Sequence, residues 1–154
     1  MKSFLEMQIA LSLAHEAFEK NEVPVGCVIT DELGNILAQT HNLVETNYDV
    51  TAHAEMLAIK EAQKNILKNN PNNNRLENCN LYVTLEPCPM CAQAIANARI
   101  KRVYYGALDE KSGGIDNGAK IFDASSCHHK PEVYSGIMED ECKEILKSFF
   151  QKLR

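Results

Sequence analysis

Three residues of this chain have the types and spacing of a metal site, and a fourth has the chemistry to work beside it. Cys88 and Cys91 stand three positions apart in Pro87-Cys88-Pro89-Met90-Cys91, and His53 lies about 35 positions earlier in His53-Ala54-Glu55. Thiolate sulfur and imidazole nitrogen are favoured zinc ligands. Three ligands leave one tetrahedral position open. Structural zinc sites normally use four protein ligands, whereas catalytic ones keep a position for water. The ligand count alone therefore points toward catalysis and one zinc per chain.

The prolines suit this arrangement. Proline is tolerated in the first turn of a helix, so Pro87 and Pro89 place the cysteines at a helix start. The positive end of that helix favours the thiolate. Glu55, two residues from His53, can sit beside the open face of the metal. A metal-bound water loses its proton near neutral pH, and an adjacent carboxylate can carry that proton. Such a pairing suits hydrolytic attack on an electron-poor ring carbon that bears an amino group. Glu55 would move the water proton to a ring nitrogen and would then protonate the departing ammonia.

Each element has a plainer reading. A lone Cys-x-x-Cys is common in zinc knuckles and redox sites. A glutamate in a first turn often serves only the helix dipole. No second Cys-x-x-Cys completes a four-cysteine site, and His128-His129, a conceivable fourth ligand, falls in a flexible-looking flank. Cys27, Cys79, Cys127 and Cys142 are scattered and read as small buried side chains.

The elements that must position the site follow from periodicity. Leu5, Ile9, Leu13 and Ala17 recur at helical spacing, giving a helix over about residues 2–20. Short apolar runs at 25–30 and 36–40 flank Asp31-Glu32-Leu33-Gly34-Asn35, a hairpin turn with Gly34 and Asn35 able to take positive φ. Thr51 reads as the N-cap of a helix to about Asn65, with Met56, Leu57, Ile59 and Ala62 inward. The asparagine-rich stretch 64–80 reads as an exposed loop. A strand at 81–85 ends at the cysteine motif. A helix at 90–98 and a strand at 102–105 follow, an order that predicts parallel pairing. Residues 106–131 read as an irregular flank, 133–134 as a short strand, and 139–153 as a last helix. The sum is one α/β domain over residues 1–154.

The chain has 154 residues, 45% of them hydrophobic, and a formal net charge of −5. That suits a globular domain, and any nucleic-acid surface would have to be a local basic patch. The first twenty residues are interrupted by Glu6, His15, Glu16 and Glu19, so they read as an amphipathic helix and not a signal peptide. No apolar run is long enough to span a membrane. Six cysteines without a secretion signal suit reduced thiols in a cytoplasmic protein.

Taken together, these motifs resemble those of the cytidine deaminase superfamily and, more narrowly, of the bacterial tRNA-specific adenosine deaminases. The likeness runs through Glu22-Val23-Pro24-Val25-Gly26, His41-Asn42, Thr51-Ala52-His53-Ala54-Glu55-Met56 and Leu81 to Cys91. It continues through Arg99-Ile100-Lys101-Arg102-Val103, Gly106-Ala107, Asp109, Lys111, Ser112-Gly113-Gly114 and Ser148-Phe149-Phe150. The resemblance implies a three-layer α/β/α cytidine-deaminase-like fold, with a five-stranded mixed sheet flanked by helices. It implies a homodimer with the site near the interface. It also implies conversion of adenosine to inosine at the wobble position of a tRNA anticodon stem-loop, a substrate splayed out of its stack. By position, His53, Cys88 and Cys91 would bind zinc and Glu55 would shuttle protons. Asn42 would bond the flipped nucleoside, the Ala54 N–H would orient the metal-bound oxygen or the base, and Asp109 would meet a flanking ribose. Phe149, with Phe150 as a further candidate, would line the loop-binding groove, although core packing is the better reading for at least one of the two. Arg99, Lys101, Arg102, Lys111, Lys152 and Arg154 are candidate phosphate contacts. Leu108 stands where the family often has a basic residue. Two other readings share the motif. A free-base or nucleoside deaminase (guanine or cytosine) would use the same zinc site. A non-catalytic zinc-stabilised RNA-binding module would not need Glu55.

Overall fold

The computed structural model describes residues 2–154. In chain order it forms α1 (Lys2–Glu19), β1 (Gly26–Thr30), β2 (Ile36–His41), α2 (Val44–Asn47) and α3 (Ala54–Asn69). Then come β3 (Asn80–Leu85), α4 (Pro89–Asn97), β4 (Arg102–Ala107), a 3-10 turn (Ile121–Asp123), β5 (Glu132–Tyr134) and α5 (Glu139–Lys152). The strands make one sheet in the order β2-β1-β3-β4-β5. β1 pairs antiparallel with both β2 and β3, while β3–β4 and β4–β5 are parallel. This is the mixed five-stranded sheet expected.

Alternation along the strands sorts the side chains into two cores. Ile29, Leu81, Val83, Val103 and Tyr105 face α3 and α4, where Ala58, Ala62, Ala92 and Ile95 complete the packing. Val28 and Tyr82 face the other way, onto Met7 and Ala10 of α1 and Cys142 of α5. The sheet is thus covered on both faces, which gives three layers. A close approach shapes the second core. A Cβ on Gly26 would lie 1.9 Å from the Ala10 carbonyl oxygen, so α1 can sit on β1 only because residue 26 is glycine.

Several boundaries differ from expectation. Thr51 is not the N-cap of α3: its N–H and hydroxyl both donate to Asp49 Oδ1, at 2.8 and 2.7 Å, in a turn that precedes the helix. His53 caps it instead. That helix runs to Asn69, beyond Asn65, because no glycine or proline intervenes before Pro71. Its inner face is Ala58, Ile59 and Ala62, with Met56 and Leu57 only half-buried. The four-residue α2 was not expected. In the hairpin, Gly34 takes positive φ and Asn35 does not; Asn35 instead bonds Asp31 through both backbone and side chain. All six cysteines are unpaired. Among the described residues no helix is long and apolar enough to cross a membrane.

Candidate metal centre and active site

The end of β3 and the starts of two helices converge on one point. His53 is the N-cap of α3 and Cys88 the N-cap of α4, both with extended backbone, and Pro89 opens α4. Cys91 follows in the same first turn and is fully buried. His53 Nδ1 lies 3.6 Å from Cys88 Sγ and 3.5 Å from Cys91 Sγ. The three ligand atoms all fall within 4.8 Å of one another, and this is the metal-ligating group found among the described residues. His129 is elsewhere, bonded through Nε2 to the Ile100 carbonyl at 2.7 Å.

The three ligand groups strongly shift one another's protonation. The hydrogen bond from Cys91, then that from His53, pulls the Cys88 thiol down to about 4. The same bond to Cys88, together with burial, pushes the Cys91 thiol far up. The hydrogen bond with Cys88 raises His53. Two thiols this close share one proton because two thiolates repel. A cation between them removes that conflict, and the positive ends of α3 and α4 favour the thiolates it needs. Two sulfurs and an imidazole nitrogen are a soft donor set suited to zinc. His53, Cys88 and Cys91 are therefore positioned to hold one zinc ion.

Glu55, at the second position of α3, is 4% exposed. Burial is the main force on its carboxyl, pushing it up to about 7, with the Cys88 charge adding to the rise and His53 opposing it. It lines a cavity of about 750 Å³ together with His53 and Cys88. Asn42, Ala54, Asp109 and Phe149 line the same cavity, so the structure brings every site residue named from sequence to it except Cys91, which lies behind Cys88.

Each wall residue has its own support. Asn42 is buried, its N–H donates to the Val25 carbonyl at 3.1 Å, and its side-chain Oδ1 finds no partner in the protein. Lys20 Nζ donates to His41 Nε2 at 3.2 Å, so the ring proton sits on Nδ1 and is donated to the Asn42 carbonyl at 2.9 Å. Ala54 opens α3, where a backbone N–H has no intrahelical acceptor. Asp109 Oδ1 accepts the Lys111 and Ser112 N–H groups at 3.2 and 3.0 Å. Phe149 is 3% exposed and packs edge-on against Phe18 and Phe150, so it is core as much as cavity wall. Phe150 and Leu153 are the exposed apolar groups at the mouth.

The basic residues divide. Lys111 lies two positions after Asp109, which accepts its N–H, and Lys152 donates to Asn21 Oδ1 at 3.0 Å, beside the cavity. Arg102 begins β4 next to Asn80, at the end of the sheet away from Cys88, and pairs with Glu132 at 3.1 Å. Arg99 and Lys101 share that remote end. Two further cavity residues, Glu22 and Glu86, were given no role from sequence. Their sequence signal is a glutamate beside apolar residues, directly after β3 for Glu86 and four positions before β1 for Glu22, where a carboxylate needs a reason to be buried.

The family of the cytidine and deoxycytidylate deaminase zinc-binding region matches residues 3–107. The tRNA-specific adenosine deaminase of Rickettsia typhi is 45% identical over 149 residues, covering 96% of this chain and 97% of that one. The enzyme of the same name from Aquifex aeolicus is 47% identical over 148 residues, covering 96% and 93%. A solved structure from work on A-to-I editing by tRNA:A34 deaminases superposes with a TM-score of 0.86 at 45% identity, covering 92% of this chain and 99% of that one. The chain belongs to the cytidine and deoxycytidylate deaminase family, on its branch of tRNA-specific adenosine deaminases.

Proposed function

We propose that the chain is a zinc-dependent hydrolytic deaminase that converts adenosine to inosine at the wobble position, A34, of tRNA anticodon loops. One observation carries the chemistry: a buried carboxyl, Glu55, stands beside a three-ligand metal centre in a cavity of about 750 Å³. That size is within the range of small-molecule sites, about 300–1,000 Å³. The choice of tRNA rests on relatives named for that substrate and aligned over nearly the whole chain.

His53, Cys88 and Cys91 would hold the zinc, which would supply the Lewis acidity that brings the pKa of a water toward about 7. Glu55 carries the protons. It accepts the proton released as the water oxygen bonds to purine C6 and delivers it to N1. It then takes the remaining proton from the new C6 hydroxyl and passes it to the amino nitrogen as the C6–N6 bond breaks and ammonia leaves. Adenosine and water give inosine and ammonia, and the carboxylate is restored. A buried carboxyl beside the metal ligands is placed for both directions of transfer. Asn42 binds the nucleoside through its unpartnered side chain, and the Ala54 N–H orients the base. Asp109 meets the ribose of a flanking nucleotide. Phe149 and the exposed Phe150 line the way in, and Lys111 and Lys152 are the cations placed to meet phosphates.

The enzyme is a homodimer with its site near the interface, as the family resemblance implies, and a light-scattering mass of one chain would overturn this. Six unpaired cysteines and a tRNA substrate fit the cytoplasm. The deciding experiment is mass-spectrometric detection of inosine in an anticodon stem-loop, run beside free guanine, cytosine and adenosine. Turnover of the stem-loop is expected, and turnover of a free base alone would overturn the substrate.

A further inference from the structure

The segment from Leu108 to Gly118 has neither helix nor strand, yet through Asp109 and Ser112 it forms one wall of the cavity. Irregular backbone at a site must find its hydrogen bonds outside any ladder. Here one side chain, Glu86, accepts four of its backbone N–H groups. Glu86 is 2% exposed. Its Oε1 accepts the Asp109 N–H at 3.0 Å and Asn117 Nδ2 at 2.7 Å. Its Oε2 accepts the N–H groups of Ile115, Asp116 and Asn117 at 3.2, 3.0 and 3.0 Å. A carboxylate offers about four lone-pair sites, so five donors saturate it. Glu86 therefore has no capacity left for proton transfer.

The same segment is fastened to the metal-binding helix. The Gly114 N–H donates to the Pro87 carbonyl at 2.8 Å. A Cβ on Gly114 would lie 2.6 Å from Pro89 N and 2.7 Å from the Cys88 carbonyl carbon, so the loop backbone rests directly on the Cys88–Pro89 peptide. Glu86 is two residues from Cys88 in the chain, which puts a metal ligand and the Asp109–Ser112 wall on one frame with this carboxylate at its centre. Glu22 has the matching place on another wall. It is fully buried and accepts the N–H groups of Glu45 and Thr46 at 3.0 and 2.6 Å, in the segment that follows Asn42.

We propose that Glu86 is a positioning residue for the deamination: its saturated carboxylate holds the Asp109–Ser112 wall in register with the metal ligands, and so sets how tightly the substrate is gripped. The inference rests on the deaminase reading above. Glu86→Gln tests it, because whichever way the amide turns, its NH₂ group faces two or three N–H donors. In the zinc-loaded variant, amide hydrogen exchange at Asp109 and 115–117 should quicken at least about tenfold. KM for the stem-loop should rise about tenfold with kcat within about threefold and zinc retained. If that variant does not fold, Asn117→Ala removes only the side-chain donor and should shift KM the same way, by about threefold. Glu22→Gln is the matched control, expected to loosen 42–46 and leave 109–117 protected. Wild-type KM and exchange with zinc intact would overturn the proposal. So would identical exchange profiles in the Glu86 and Glu22 variants, or loss of zinc and kcat at unchanged KM. A wild-type enzyme inactive on the stem-loop and active on a free base would instead overturn the RNA reading. The role of Glu86 is then read from KM for that base and from the exchange profile.

Discussion

Replacing Glu55 with glutamine separates two consequences of burying a carboxyl at the metal centre. Burial raises its pKa from 4.5 to about 7. A folded carboxyl that holds its proton more tightly than the unfolded one destabilises the fold once pH exceeds the unfolded value. The penalty is absent below 4.5, grows as pH rises through about 7, and is complete above it. At about 1.4 kcal/mol per pKa unit it reaches about 3 kcal/mol. Glutamine has no such titration, and its own burial cost does not change with pH. Metal-free Glu55→Gln should therefore gain on the wild type by about 3 kcal/mol between pH 4 and pH 8. In a domain of this size that is about 6–12 °C of melting temperature. The zinc-loaded variant should fail in catalysis. A general acid–base contributes roughly 10²–10⁴-fold, and Glu55 serves two transfers, so a loss near about 10⁴ is expected, about 5.5 kcal/mol of barrier. Thermal melts of chelated protein at the two pH values, and inosine formation with zinc content measured in parallel, read both effects. A melting difference that does not change with pH, or turnover above about 1% of wild type with zinc bound, would refute the reasoning.

Other perturbations act on the frame. Gly26→Ala should destabilise by about 1–3 kcal/mol or abolish folding, since its Cβ would lie 1.9 Å from the Ala10 carbonyl oxygen; urea unfolding checks this. Phe149→Ala should cost about 3–5 kcal/mol of stability. Phe150→Ala, at a half-exposed ring, should cost under about 1 kcal/mol and raise KM for the stem-loop, which equilibrium unfolding beside steady-state kinetics separates. Burial works to raise the Glu22 carboxyl, but the hydrogen bonds from Thr46 and Glu45 outweigh it and hold the group below 4.5. Its contribution is present above pH 4.5 and lost as pH falls through the folded value, so Glu22→Gln should lower stability at pH 7 and flatten its decline in acid. Unfolding measured from pH 7 to pH 3 tests this, and a parallel offset at every pH would contradict it.

These perturbations also separate what the sequence discloses from what it conceals. His53, Cys88 and Cys91 are legible because each sits at a helix start marked by local chemistry. Prolines punctuate one start, and a two-residue step to a carboxylate marks the other. The first four strands are legible because apolar runs of the right length end at turn residues, whereas β5, Glu132–Tyr134, is too short and too exposed to show such a run. The start of α3 is less so, since a threonine can cap a helix or bond back to an aspartate two residues earlier, and here Asp49 takes both Thr51 donors. The end of α3 is misread for a related reason. Asparagine favours turns but costs a helix under about 1 kcal/mol, and a helix packed through Ala58 and Ala62 carries past it. Glu86 is hidden more deeply. Its five donors, four of them main-chain and one the Asn117 side chain, lie 23 to 31 positions away in a segment whose sequence has no period. A main-chain N–H has no residue type, so no pattern of side chains can announce that it will be needed. What sequence does record is the anomaly at the other end of those bonds: a glutamate, directly after an apolar strand, in a place where an unpaired charge could not remain. A buried carboxylate of that kind is either a proton carrier or an anchor. The count of donors around it distinguishes the two, leaving Glu55 for the chemistry and Glu86 for the frame.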